Sequence, residues 1–125
     1  MANNSELIQS AYQAFGRGDI PAVIGMLADD VDWSSPATLP QGGQFNGKDG
    51  VGKFFAAIGA SWRELSLDVE SVSDAGADSV VGVVRATGTL QNGSASGYGA
   101  AHVFTVRGGK VVRFREYTDL DTPIA

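Results

Sequence analysis

From Leu65 to Asp119 the chain reads as strands separated by short turns. Successive side chains of a strand point to opposite faces, so an alternating run reads as half-buried sheet. Leu67-Asp68-Val69-Glu70-Ser71-Val72 alternates cleanly. Residues 74–78 then make a turn and 79–90 a long strand. Gln91-Asn92-Gly93-Ser94 is a hairpin turn, because Asn-Gly accepts the positive φ that tight hairpins need. Residues 96–106 return, and Gly108-Gly109 leads into a last strand at 111–119.

Upstream of Leu65 the period changes to that of helices. Leu7, Ile8, Ala11, Tyr12, Ala14 and Phe15 recur at helical spacing after a cap at Asn4 or Ser5, and Gly16-Arg17-Gly18 ends the helix. Asp19 caps a second helix with Pro21 in its first turn. Val23, Ile24, Leu27 and Ala28 give its apolar face, and Asp29-Asp30 reads as its solvated end rather than as paired catalytic carboxylates. Residues 31–35 read as a short strand and 36–47 as a loop long enough to border a pocket. A third helix over 50–62 turns Val51, Phe54, Phe55 and Ile58 inward; Trp62 fits either the core or a helix-end contact. Helices followed by an antiparallel meander mean an α+β fold, and 125 residues are one domain, 1–125.

The net charge of -5, with no basic stripe, argues against nucleic acid or an anionic membrane as partner. No apolar run approaches the length of a membrane span. The chain has no cysteine, which removes disulfide and thiolate chemistry and fits a reducing compartment, so a cytoplasmic protein is expected.

The last strand concentrates the chemistry. Phe114, Glu116 and Thr118 share one face; Arg113, Arg115 and Tyr117 share the other. Arginines are the easier set to leave in water, which sends Glu116 inward. A carboxylate on an apolar face needs a partner. The candidates are Arg85 and His102, the single histidine. An Arg85–Glu116 pair reads equally as a structural ion pair ordering the core. With one histidine and no acid at metal-ligand spacing, no metal is expected.

The chain resembles the SnoaL-like branch of the nuclear transport factor 2-like superfamily. The resemblance rests on Gly18-Asp19-Ile20, Leu27-Ala28-Asp29-Asp30-Val31, Gly47-Lys48-Asp49-Gly50-Val51, the run Ala101 to Val111, and Phe114-Arg115-Glu116-Tyr117-Thr118-Asp119. It implies a cone-shaped α+β fold, a curved mixed or antiparallel sheet wrapped around three N-terminal helices and enclosing one pocket. Relatives include polyketide cyclases, ketosteroid isomerases and limonene-type epoxide hydrolases. Strand alternation and the Asn92-Gly93 turn nominate the pocket-facing residues: Val83, Arg85 and Thr87; Tyr98, Ala100, His102 and Phe104; and Phe114, Glu116 and Thr118. Trp33 and Ser35 close the far side, with Phe55 from the third helix.

The resemblance implies different chemistry at these positions for each relative. For a ketosteroid isomerase the base falls at Ser35, the protonated aspartate at His102 and the tyrosine near Ala11, with Tyr12 one position off the required face. All three are changed. For an epoxide hydrolase Glu116 takes the water-activating role and Arg85 that of the arginine, while the second acid falls at Thr87. For a polyketide cyclase, Glu116 as base with Arg85 or protonated His102 beside the enolate satisfies the chemistry.

Two classes of function follow. One is a cofactor-independent acid/base enzyme, cyclase or isomerase before epoxide hydrolase, acting on a small apolar oxygen-bearing molecule through Glu116, Arg85 and His102. Trp33, Ser35, Phe55, Thr87, Tyr98, Phe104, Phe114 and Thr118 would contact that ligand. The other is a non-catalytic binding domain with the same pocket. Val103, Thr105 and Val112 on the sheet's outer face predict a homodimer through the sheet.

Overall fold

The computed structural model describes residues 3–124. The element order is α1 (Asn4–Gly16), α2 (Ile20–Gly25), β1 (Leu27–Ser35), β2 (Gly43–Asn46), α3 (Gly47–Ser61), β3 (Trp62–Asp74), β4 (Ser79–Leu90), β5 (Ala95–Arg107) and β6 (Lys110–Thr118). The strands form one curved mixed sheet in the order β2-β1-β6-β5-β4-β3. β1 runs parallel to β6, and every other neighbouring pair is antiparallel. The expected α+β class and the sheet wrapped on three helices are therefore observed.

Two helix starts follow their capping chemistry. The Asn3 side chain accepts from the Glu6 backbone N–H at 2.8 Å, one or two residues earlier than the cap expected at Asn4 or Ser5. The Asp19 side chain accepts from the Ala22 N–H at 3.2 Å, with Pro21 beside it.

The second helix is shorter than its periodicity suggests. It stops at Gly25, and Leu27 already pairs with Val111 in the sheet. The Val111 N–H donates to the Met26 carbonyl, and the Lys110 ammonium donates to that of Gly25. These tertiary bonds to β6 override the helical spacing of Leu27 and Ala28. Asp29 and Asp30 are exposed as expected, but they lie on the entering end of β1 rather than at a helix end. The expected loop at 36–47 likewise contains β2, which places Phe45 opposite Trp33.

The main correction concerns β4. The hairpin register sets Gly82 opposite His102, Val84 opposite Ala100, Ala86 opposite Tyr98 and Arg85 opposite Gly99. Directly opposed residues share a face. Because Tyr98, Ala100 and His102 face the interior, so do Ala86, Val84 and Gly82. Val83, Arg85 and Thr87 are exposed on the outer face. The sequence reading placed odd positions of β4 with even positions of β5, which this turn does not allow.

Val84, Ala86, Tyr98 and Ala100 belong to one buried cluster with Trp62. Ile8, Val31, Trp33, Val51, Phe54 and Phe114 anchor another. The candidate site lies where α1 and these clusters meet.

Candidate functional site

β1, β5 and β6 are adjacent, so inward residues near their middles converge. His102 lies opposite Glu116 in the β5–β6 ladder. Ser35 ends β1, and its hydroxyl donates to Glu116 Oε1 at 2.5 Å. The other carboxylate oxygen, Oε2, lies 3.0 Å from His102 Nε2. On the far side of the ring, His102 Nδ1 is 2.8 Å from the hydroxyl of Tyr12, which α1 supplies. Ser35, Glu116, His102 and Tyr12 thus form one continuous hydrogen-bonded row. His102 and Glu116 are 6% and 9% exposed, which makes it a buried network rather than a surface pair.

Burial, followed by the negative charge of Glu116, pushes the Tyr12 phenol well above its ordinary value. Tyr12 therefore keeps its proton and donates it to Nδ1. That assigns the ring hydrogen of a neutral His102 to Nε2, from which it is donated to Glu116. Each polar atom of the row then has a partner, as a buried network requires.

A second polar group stands apart from this row. Gln41, 2% exposed, accepts from the Trp62 indole N–H at 3.0 Å and donates to the Tyr98 hydroxyl at 3.4 Å. Trp62 is thus a core residue that also ties down the loop after β1. Burial raises the Tyr98 phenol first and the Glu116 charge raises it further, against a smaller lowering by Gln41. Tyr98 keeps its O–H, which is not among the protein's hydrogen-bond donors in the described residues.

Between these two groups is a cavity of about 80 Å³. Its walls are mostly aromatic, with Tyr12, Trp33, Phe54, Phe55, Phe104 and Phe114 prominent, and its polar groups are Tyr98, Gln41, His102 and Glu116. Trp33 stacks on Phe114 with ring centroids 3.9 Å apart, and Phe114 in turn lies 5.1 Å from the His102 ring. Few convergent polar groups in an apolar cleft is the usual form of a small-molecule site.

The structure brings together Glu116, His102, Tyr98, Trp33, Phe55, Phe104 and Phe114 in the cavity wall, with Ser35 behind Glu116. It separates three expected residues from them. Arg85 is on the outer face, its side chain 52% exposed and 3.7 Å from Asp119 Oδ2, so it neither pairs with Glu116 nor lines the cavity. Thr87 is exposed on the same face. Thr118 is half-buried, outside the cavity wall, with its hydroxyl accepting from the Leu120 N–H at 3.4 Å. Both partners expected for Glu116 are thereby decided: His102 is its partner and Arg85 is not.

Tyr12 and Gln41 are the site residues the sequence reading missed. Tyr12 was placed one position off the required face, yet its hydroxyl reaches His102. A signal existed: Gly82 sits mid-strand, where glycine often marks a close approach. A Cβ built on Gly82 would overlap the Tyr12 hydroxyl and lie 3.0 Å from two of its ring carbons. Among the described residues no group of three or more His, Cys, Asp or Glu is placed to hold a metal ion. No described helix is long and apolar enough to cross a membrane.

The SnoaL-like domain family matches residues 8–114. The chain belongs to that family. Among solved structures, this SnoaL-like chain is similar to an NTF2-like protein from Burkholderia thailandensis, with 30% identity and a TM-score of 0.88 over 95% of this chain and 92% of that one. An NTF2-like protein of unknown function from Burkholderia pseudomallei gives 29% identity and 0.86 over the same shares. TerC, co-crystallised with polyporic acid, gives 26% and 0.84 over 94% and 92%. No curated protein matches the sequence significantly. The mostly apolar cavity described above thus sits within a SnoaL-like domain.

Proposed function

We propose that this pocket is a cofactor-independent acid/base site of the cyclase or isomerase type for a small, apolar, oxygen-bearing molecule. The observation that carries the reading is the buried His102–Glu116 pair, hydrogen-bonded at both ends and set in an otherwise aromatic cavity. A polar row there is costly to bury, whereas an apolar core would be simpler. The His102–Glu116 pair acts as the proton-exchanging unit, and Tyr98 donates to oxygen that gains charge. Trp33, Phe55, Phe104 and Phe114 hold the apolar body of the ligand. TerC, a similar structure co-crystallised with polyporic acid, supports a ligand-holding role for this chain.

Epoxide hydration loses its support, since the arginine and the neighbouring position it requires, Arg85 and Thr87, both face outward. Non-catalytic binding is the second reading, favoured because both His102 nitrogens and both Glu116 oxygens are already hydrogen-bonded within the protein. The protein is taken to act in the cytoplasm, from its lack of cysteine. It is also taken to act as a homodimer through the outer face of the sheet. Val83 on β4 and Tyr117 on β6, 37% and 60% exposed, flank Ala101 of β5 on this face. A monomer mass in light scattering at micromolar concentration would remove the dimer.

Deuterium exchange from D2O into the α-carbon of cyclohexanone, followed by NMR, tests the enzyme reading. The protein is expected to accelerate exchange, and Glu116→Gln or His102→Gln to lower that acceleration by roughly 10²-fold or more. Exchange that is unchanged in both variants would leave binding as the function.

A further inference from the structure

Two features of the pocket fix where the oxygens of a ligand can bind. The first is Tyr12. Its proton is committed to His102 Nδ1, so what it offers the cavity is oxygen lone pairs. The second is a free donor elsewhere on the wall. Tyr98 accepts from Gln41 but its own O–H is uncommitted among the described residues. An unpaired buried donor is costly, and a ligand acceptor removes the cost. The pocket therefore has a polarity, with an acceptor at Tyr12 and a donor at Tyr98.

Resting on the acid/base reading above, we propose that the pocket selects a one-ring phenol or enol carrying a second oxygen acceptor, and that Tyr12 relays its hydroxyl proton to His102. The ligand hydroxyl donates to Tyr12 Oη, and its other oxygen accepts from Tyr98. In the transfer, the ligand O–H bond breaks as its proton moves to Tyr12 Oη. The Tyr12 O–H bond breaks as that proton moves to His102 Nδ1. The ligand is left as an oxyanion accepting from the re-formed Tyr12 hydroxyl, and His102 as an imidazolium against the Glu116 carboxylate. One positive and one negative charge form together, so the net charge of the site is unchanged. Tyr12 is a catalytic residue in this scheme because it touches the reacting oxygen.

The size limit follows from the cavity. Its volume of about 80 Å³ is well below the roughly 300 Å³ at the lower end of sites for drug-sized ligands. It is also below the roughly 150 Å³ of a protein cavity that takes benzene, so a single ring is the upper limit. Gly82 is the positioning residue: it lies opposite His102 in the ladder, and only the lack of a side chain there lets the Tyr12 hydroxyl reach Nδ1. The titratable groups facing the relay are Glu116 from β6 and Tyr98 from β5, and the described cationic side chains do not line the cavity.

4-Nitrophenol is a suitable probe, because its phenol and phenolate absorb at different wavelengths and its nitro oxygens are acceptors. Bound to the wild-type protein below its free ionisation midpoint, it is expected to shift toward phenolate. Tyr12→Phe and Gly82→Ala should each lose that shift, the second with Tyr12 itself intact. 4-Nitroanisole, which lacks the hydroxyl, should bind roughly tenfold more weakly. Equal binding of the two compounds, no shift in the wild type, or no binding to a protein that circular dichroism shows folded overturns the proposal. If Tyr12→Phe keeps the shift and Glu116→Gln loses it, the relay fails while the acid/base pocket stands. If both variants keep it, both readings fail together.

Discussion

Strands β5 and β6 and their neighbours carry two acid–base pairs on opposite faces of one sheet. On the inner face His102 meets Glu116 at 3.0 Å, the side chains 8% and 5% exposed. On the outer face Arg85 meets Asp119 at 3.7 Å, the side chains 52% and 61% exposed. The pairs are close in sequence and similar in composition. They differ in what surrounds them. The inner pair has exchanged water for Ser35, Tyr12 and aromatic rings, so each partner depends on the others. The outer pair keeps water as an alternative partner and is screened by salt. The fold thus makes one pair part of a buried network and leaves the other a surface contact.

The inner pair can be broken with the largest effect. Glu116→Ala leaves the Ser35 hydroxyl and the His102 Nε2–H without their acceptor in a buried setting. A loss of about 3 kcal/mol in unfolding free energy is expected, measured by urea denaturation. A loss below about 0.5 kcal/mol would mean that water reaches the pair freely, which would erase the contrast with the outer face.

Most of the fold was legible in the sequence because period-two alternation and turn chemistry are local signals. β4 is bounded as expected at Ser79–Leu90, and β5 and β6 fall within one residue of their expected limits. The inward set of β5 and the Glu116 face of β6 were legible for the same reason. What failed depended on pairing across the chain. Arg85 and Thr87 were given to the wrong face because β4 by itself, V-V-G-V-V-R-A-T, is apolar at both parities. Only its register with β5 decides, and there Arg85 meets Gly99. Leu27 and Ala28 continued a helical pattern that β6 converts to strand. Gln41 sat in a loop with no period to place it, and its role is set by Trp62 and Tyr98. Tyr12 required knowing that Gly82 leaves room for its hydroxyl.

An intermediate case sharpens the comparison. Asp32 on β1 accepts from Arg115 on β6 at 2.7 Å, with the arginine 22% and the aspartate 50% exposed. The Arg115 hydrogen bond holds the Asp32 carboxyl below its usual value, with its charge and that of Arg113 adding to the effect. A carboxyl depressed in the folded state stabilises fully above its unfolded value and loses that stabilisation as pH falls through the folded one. Asp32→Asn should therefore cost less than about 1 kcal/mol near pH 7, and the gap to wild type should close toward pH 2. Urea denaturation of both proteins at the two pH values measures it. A gap that does not change with pH would assign the effect to packing rather than charge.

The outer pair should give the smallest effect. Arg85 lies beyond hydrogen-bonding distance of Asp119, whose other oxygen accepts from the Gly99 N–H at 3.0 Å without its help. Removing the guanidinium leaves no buried group unpaired and opens no cavity. Arg85→Ala is expected to change unfolding free energy by less than about 0.5 kcal/mol. Cyclohexanone exchange should be unchanged, since the side chain lies across the sheet from His102. A loss of exchange with stability intact would mean that the outer face reaches the pocket chemistry through another route. The proposed dimer would offer that route, because Val83 and Tyr117 share this face with Arg85. Light scattering on the same variant separates the two: a change in mass together with lost exchange makes the outer face part of the site's support, and an unchanged mass returns Arg85 to the list of residues acting on the pocket itself.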